Sequence, residues 1–480
     1  MAYAGDHLDP PRDAVPRWQP WHLVAAGGAA AAGLGALIGR GLLPPALFVL
    51  GVVGAGGVAL LARLPWLTPW AVLPLFCTTA ELQLRVTSSA GASKDALTMG
   101  LVLLASLHLV RSREVRRRVL DLWVPVTFLA IVVALYLVNP VGSPLLGWVF
   151  GARLFIQAVL LLIIGLSAPQ PARTARHMVL ALAVMTAAEA VFAAAQQLAG
   201  PQALVYQWGY AYGSQVRQTS GGGLRVSGTF NDPFQLMALA VVAAVAGVFL
   251  ARGRVRWTLL LSAVVITWAT SVRTALVQIA LILLMAAWRR GWRALTVAAC
   301  LAAAGAGLFV GLTTSTAEYP GAVRKPLLLG LNGRTTAWSL AVKGPSSLLL
   351  GNGVGAVGTG STRGAEGLIT SASKYNPKAE SKAQFAGSNA FLDSSYLQVQ
   401  SDTGVAGLVA FVGFVVSLAG WLVRRLPQGA APWAALALLL TCAVDWVGRA
   451  SFASYTTGFL TMYVLGVWVA ECARASGRDG

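Results

Sequence analysis

Three arginines stand in local sequences suited to holding an anion: Arg225 in LRVSGTFNDPFQLMALA, Arg273 in TSVRTALVQ and Arg334 in NGRTTAWSLAVKGPSSLLLGNGVG. A guanidinium stays charged at physiological pH and offers its N–H groups as a planar fork that matches two phosphate oxygens. Beside Arg225, Asn231 or Asp232 can cap a following helix, with Pro233 in its first turn. A helix N-terminus next to an arginine favours negative charge, although an ordinary capped membrane helix fits the same residues. Arg273 lies between two apolar stretches so close together that their turn is tight. An arginine there either snorkels to the interface or faces a hydrated cavity with an anionic partner. Arg334 and Trp338, four apart, share a helical face that Gly344 and Pro345 end. That is the pattern of an amphipathic helix on a membrane surface, and it is compatible with Arg334 reaching a lipid-linked phosphate.

The carboxylate best placed for proton transfer is Asp393, in SNAFLDSSYLQVQSDTGVAGLVAF, with Tyr396 close behind it. The same Asp393 can instead serve as N-cap of a helix from Ser394 onward, and Asp232 and Asp402 compete for the catalytic role. Arg217, Arg324, Lys325 and Arg449 add positive charge at the same predicted membrane boundary. The run Gly353 to Gly358, GVGAVG, matches a dinucleotide fingerprint in form only, since no strand–helix unit surrounds it and a glycine-rich turn suffices. Cys77, Cys300, Cys442 and Cys472 are not spaced as a metal or redox pair, and the four histidines lie in the N-terminal tail or at expected cytoplasmic helix ends, so no metal site or cofactor is expected.

These residues sit in a chain that is 56% hydrophobic with 11% charge, whereas soluble domains carry about 25% charged residues. An ordinary soluble enzyme is excluded. The formal charge of +19 does not read as nucleic-acid binding, because Lys and Arg are dispersed in short groups between apolar runs. The expected fold is an all-α polytopic membrane protein of about 12–14 transmembrane helices, with residues 1–20 a disordered cytoplasmic tail and 21–480 one membrane domain. Spans are predicted near 22–39, 42–62, 65–80, 96–110, 119–138, 145–167, 178–199, 234–251, 257–270, 272–288, 294–313, 404–423, 431–447 and 452–470. Basic loops at 111–118, 173–176, 252–256, 289–293 and 424–425 all fall on one side, which puts both termini in the cytoplasm. Segments near 200–233 and 314–403 fall on the other side, and the second is too long for a simple connector. No internal repeat is evident, which weighs against a transporter built from paired halves.

In order and placement these motifs resemble the O-antigen polymerase and O-antigen ligase superfamily, the Wzy and WaaL type of bacterial membrane glycosyltransferases. The resemblance covers about residues 220–425. It rests on the Gly228–Phe230 turn running to Pro233, Ser271 to Arg273, Gly333–Arg334 with Trp338, the Leu349–Gly353 turn, and Asp393–Gln398 leading to Gly404 and Gly407. The family's ligases place a His where this chain has Asp393, and Ser394 replaces an Asn, a departure that favours a polymerase with a carboxylate base. The resemblance implies a GT-C-like bundle with a large extracytoplasmic loop in the bacterial inner membrane. It implies metal-independent, inverting transfer of a glycan from an undecaprenyl-pyrophosphate carrier to a sugar hydroxyl. It makes Arg225, Arg273 and Arg334 the pyrophosphate-binding residues and Asp393 the base, with Asp232, Trp338, Tyr396 and Arg449 as secondary candidates. A chain-length regulator and a flippase are the expected protein partners. Ligation to a final acceptor is the nearest alternative, and a polysaccharide or lipid transporter is the alternative of another class.

Overall fold

In lipid a backbone N–H or C=O finds its partner within its own segment, so apolar runs of this length fold as helices. The computed structural model describes residues 57, 59–85, 91–139, 141–142, 145–211, 215–218, 224–230, 232–272, 274–291, 293–294, 296, 345–355, 394–454 and 457–476. Its principal helices in chain order are α1 (Thr68–Arg85), α2 (Gly91–Arg111), α3 (Arg113–Asp121), α4 (Trp123–Val138), α5 (Leu145–Leu166), α6 (Pro171–Tyr206), α7 (Pro233–Phe249), α8 (Gly253–Thr270), α9 (Thr274–Arg290), α10 (Pro345–Leu350), α11 (Ser395–Val423), α12 (Ala430–Gly448) and α13 (Thr457–Ser476). Five are long and apolar enough to cross a membrane, in α2, α5, α6, α11 and α12, and a sixth counts if α3 and α4, bent by 81°, form one span. α7, with 17 residues, rises about 26 Å at 1.5 Å per residue, just under the hydrocarbon thickness. The expected span at 22–39, nearly all of 294–313 and most of 42–62 lie outside the described residues.

α13 is the most enclosed helix, with every residue from Thr457 to Ala470 buried. It packs against α5, where backbones approach so closely that a Cβ at Gly165 would lie 2.5 Å from the Tyr463 carbonyl oxygen. Small residues at such crossings replace the hydrophobic drive that lipid cannot supply. Leu103, Val138, Val191, Leu198 and Val264 are exposed on outer faces, as a lipid-covered surface requires.

Several stretches expected as loops are helical, including residues 173–176 at the start of α6 and 253–256 at the start of α8. The basic segment 111–118 contains most of α3, whose N-cap Ser112 accepts from the Val115 N–H at 3.3 Å. Val115 and Arg118 face inward while the other arginines face out, so amphipathicity outweighs the charge that suggested a loop. α6 continues past 199 through Gly200, which breaks the helical geometry at φ 78, to Tyr206. Ser395–Thr403, the polar end of the expected 314–403 loop, forms the first turns of α11.

α11 bends at Gly404, where φ is 72 and ψ is −168, a conformation open essentially to glycine alone. A Cβ there would also run into the Leu349 carbonyl. Gly404→Ala is therefore expected to destabilise the fold by about 2–4 kcal/mol, from backbone strain plus overpacking. Thermal unfolding of detergent-purified protein checks this, and an unchanged transition would contradict it.

Candidate anion site at the helix ends

α7 begins as its sequence suggests. Asp232 is its N-cap, with Oδ1 accepting from the Phe234 N–H at 2.7 Å and Pro233 in the first turn. Its other oxygen, Oδ2, lies 3.0 Å from Arg217 Nη2. Arg217 belongs to a short antiparallel ribbon, β1 (Arg217–Gln218) and β2 (Leu224–Arg225), in which Arg217 and Arg225 are direct partners. Like charges opposed across strands repel, and the Asp232 carboxylate beside Arg217 offsets part of that repulsion. The ribbon is tied to α6 and α8. Gln197 Nε2 donates to the carbonyls of Leu224 (3.0 Å) and Ala269 (2.9 Å), and the Val226 N–H reaches the Ala269 carbonyl at 3.3 Å.

Arg449, one residue past α12, meets this ribbon through Phe234. Its Cζ lies 4.5 Å from the Phe234 ring centroid and that of Arg217 lies 5.8 Å away, so two guanidiniums share one ring. Arg449 also donates from Nη2 to the Phe234 carbonyl (3.3 Å) and pairs through Nη1 with Asp445 at 3.5 Å. Its own carbonyl accepts from the N–H and the hydroxyl of Ser395, both at 3.0 Å, which fixes the start of α11. Ser394 is the cap of that helix, accepting from the Leu397 N–H and donating to the Trp446 carbonyl. The capping role considered for Asp393 is thus filled by its neighbour. Tyr396 donates its hydroxyl to the Ala443 carbonyl at 3.2 Å, making it a packing anchor. Phe411, Trp446 and Phe452, with centroids 5.0–5.4 Å apart, form an aromatic layer next to these residues.

Two turns adjoining the helix ends are held by buried carboxylates. Glu189 of α6, 2% exposed, accepts from the Thr229 N–H at 3.0 Å and bonds the Thr229 hydroxyl, while Gln196 clasps both the N–H and the carbonyl of Gly228 at 2.9 Å. Beside them Tyr210 donates to Glu81 at 2.9 Å, and burial together with the Glu81 charge pushes the Tyr210 hydroxyl up to about 12, so it remains a donor. Glu189→Ala is expected to cost about 1–3 kcal/mol, because it leaves the Thr229 N–H buried without its acceptor. Urea unfolding of the purified variant measures it. Asp402 of α11 accepts from the Tyr136 hydroxyl (2.8 Å), Gln398 (2.9 Å) and the Gly355 N–H (3.2 Å). The same 351–355 turn gives its Val354 N–H to Asn139 Oδ1 at 3.2 Å and rests its Gly355 backbone on Gly147 and Gly151 of α5.

The structure thus brings Arg225, Asp232 and Arg449 to adjoining helix ends, with Tyr396 in the first turn of α11. Asp393, Arg273, Arg334 and Trp338 lie outside the described residues. Sequence reasoning placed Arg217 on this side without giving it a role, and passed over Phe234, Ser395 and Asp445. The spacing of Asp445 and Arg449, one helical turn apart, was a usable signal. Among the described residues no group of three or more His, Cys, Asp or Glu side chains could hold a metal ion.

Fold and helix ends together define an all-α polytopic membrane protein with a cluster of arginines at one set of helix ends. No protein-family model matches the chain, and no curated protein matches it.

Proposed function

We propose that this protein is a polysaccharide polymerase of the bacterial cell envelope, which extends a glycan carried on undecaprenyl pyrophosphate. The observation that carries the reading is the direct opposition of Arg217 and Arg225, with Arg449 sharing the Phe234 ring beside them. Such a grouping favours a ligand with two adjacent phosphates more than one with a single negative charge. The full chain has 12–14 spans in a GT-C-like bundle in the inner membrane, with both termini cytoplasmic and the arginine cluster extracytoplasmic. Arg273 and Arg334, which the family resemblance makes pyrophosphate-binding residues, are further donors in this reading.

In the reaction the acceptor sugar oxygen attacks the anomeric carbon from the face opposite the pyrophosphate. A new glycosidic bond forms as the carbon–phosphate-oxygen bond breaks, and configuration inverts. The departing electron pair remains on the pyrophosphate, where the guanidiniums stabilise it. The acceptor's proton goes to the Asp393 carboxylate. A charge held this way is stabilised most as it develops, so the arginines act on the rate as well as on binding.

Purified protein in vesicles, supplied with undecaprenyl-pyrophosphate-linked oligosaccharide and no metal, is expected to release undecaprenyl pyrophosphate and form longer carrier-linked glycans. Glycan that appears only on an added non-carrier acceptor would assign the ligase reaction instead. Passage of intact donor across the bilayer with no bond made would assign transport.

A further inference from the structure

At the opposite ends of α5, α6, α11 and α13 lies a cleft of about 930 Å³ that the proposed reaction does not use. Its lining includes Arg113, Arg117, Arg118, Arg173, Arg425 and Arg474, against the carboxylates Glu114 and Asp121. Arg425 is committed, with Nη2 2.5 Å from Asp121 and its guanidinium 3.7 Å over Trp421. Arg118 is not. It is 4% exposed and gives Nη1 to the Ala168 carbonyl at 2.9 Å, but its Nε and Nη2 are buried with no hydrogen-bond partner among the described residues. The nearest acid, Glu114, is 3.9 Å away and largely exposed.

A buried guanidinium with two unused donor atoms is costly unless an acceptor reaches it. Burial pulls Arg118 below its ordinary value, and Glu114 and Glu471 oppose that while Arg474 reinforces it. Arg113 and Arg117 are exposed and form no ion pair among the described residues. The N-terminus of α6 lines the same cleft, and its N-cap Gln170 makes no side-chain cap. The positive end of a helix therefore stands beside a surplus of guanidiniums. α3 is too charged for hydrocarbon and turns 81° from α4, which suits a helix lying at the level of lipid headgroups.

We propose that this cleft binds a phosphate oxyanion, supplied by the headgroup of an anionic phospholipid, with Arg118 as its buried contact and Arg113 and Arg117 as its rim. Basic pockets between membrane helices select such headgroups. The site is independent of the glycan reading, since it lies at the other ends of the helices.

The test uses the full chain in mixed micelles of phosphatidylcholine doped with spin-labelled phosphatidylglycerol, with a second series to which inorganic phosphate is added. Wild type is expected to retain phosphatidylglycerol over phosphatidylcholine, and Arg118→Gln to lose about tenfold in that retention. Arg113→Gln/Arg117→Gln changes only exposed residues and is expected to weaken retention severalfold in protein that stays folded. Competition by millimolar inorganic phosphate, lost in the same variants, assigns the oxyanion to a soluble phosphate source. Equal retention of the two lipids by wild type and both variants, with no phosphate competition, overturns the proposal.

Discussion

Arg449→Ala is expected to lower the rate of glycan extension by about 100- to 1,000-fold at matched membrane levels, the range seen when one preorganised charge donor is removed from a site where negative charge develops. Arg449 is fixed on four sides, by Asp445, the Phe234 ring, the Phe234 carbonyl and the start of α11 through Ser395. A donor so constrained costs little reorganisation when phosphate charge builds up. Its backbone carbonyl, which holds Ser395, survives the substitution, so folding is expected to be largely kept. Arg449→Lys retains the charge without the fork and is expected to recover only a minor part of the rate. Phe234→Leu removes the shared ring but no charge, and should raise the apparent KM several-fold while changing kcat less. Steady-state extension assays on the three variants separate these outcomes, and an Arg449→Ala enzyme within threefold of wild type would remove the residue from the site.

Asp402→Ala is expected to destabilise the fold by about 3–5 kcal/mol. Three donors point at this carboxylate from α4, α11 and the 351–355 turn, and alanine removes the acceptor they share at a buried position. Tyr136→Phe deletes one donor and leaves two, so its cost is expected to be only about 1 kcal/mol. The contrast is read from thermal unfolding of the purified variants. Equal stabilities would mean that the 351–355 turn is held by its glycine packing on α5 and not by the carboxylate.

Much of the helical frame is legible in the sequence, because apolar length and breaker residues act locally. α5, α7, α9 and α12 fall within a few residues of their expected bounds, and Asp232 with Pro233 marks the start of α7 in type and place. The polar start of α11 is not legible in the same way. Ser401 and Asp402 look like loop residues until their partners are known, and those partners, Asn352 and Tyr136, are distant in the chain. Glu189 is similar: its acceptor role depends on a turn 40 residues later. Arg225 stood out for its motif, whereas Arg217 acquires meaning only from the ribbon register that sets it opposite Arg225. Local chemistry can therefore nominate a residue in this chain, but pairing across helices decides whether it positions a turn or faces a ligand.

The most direct measurement is the length of carrier-linked glycan in cells lacking the protein, resolved on gels and compared with cells complemented by wild type, Asp393→Ala or Arg449→Ala at equal membrane abundance. The expected result is single repeats on the carrier in the deletion strain and both variants, with long chains restored by wild type alone. Carrier-linked glycan of unchanged length in every strain would contradict the polymerase reading.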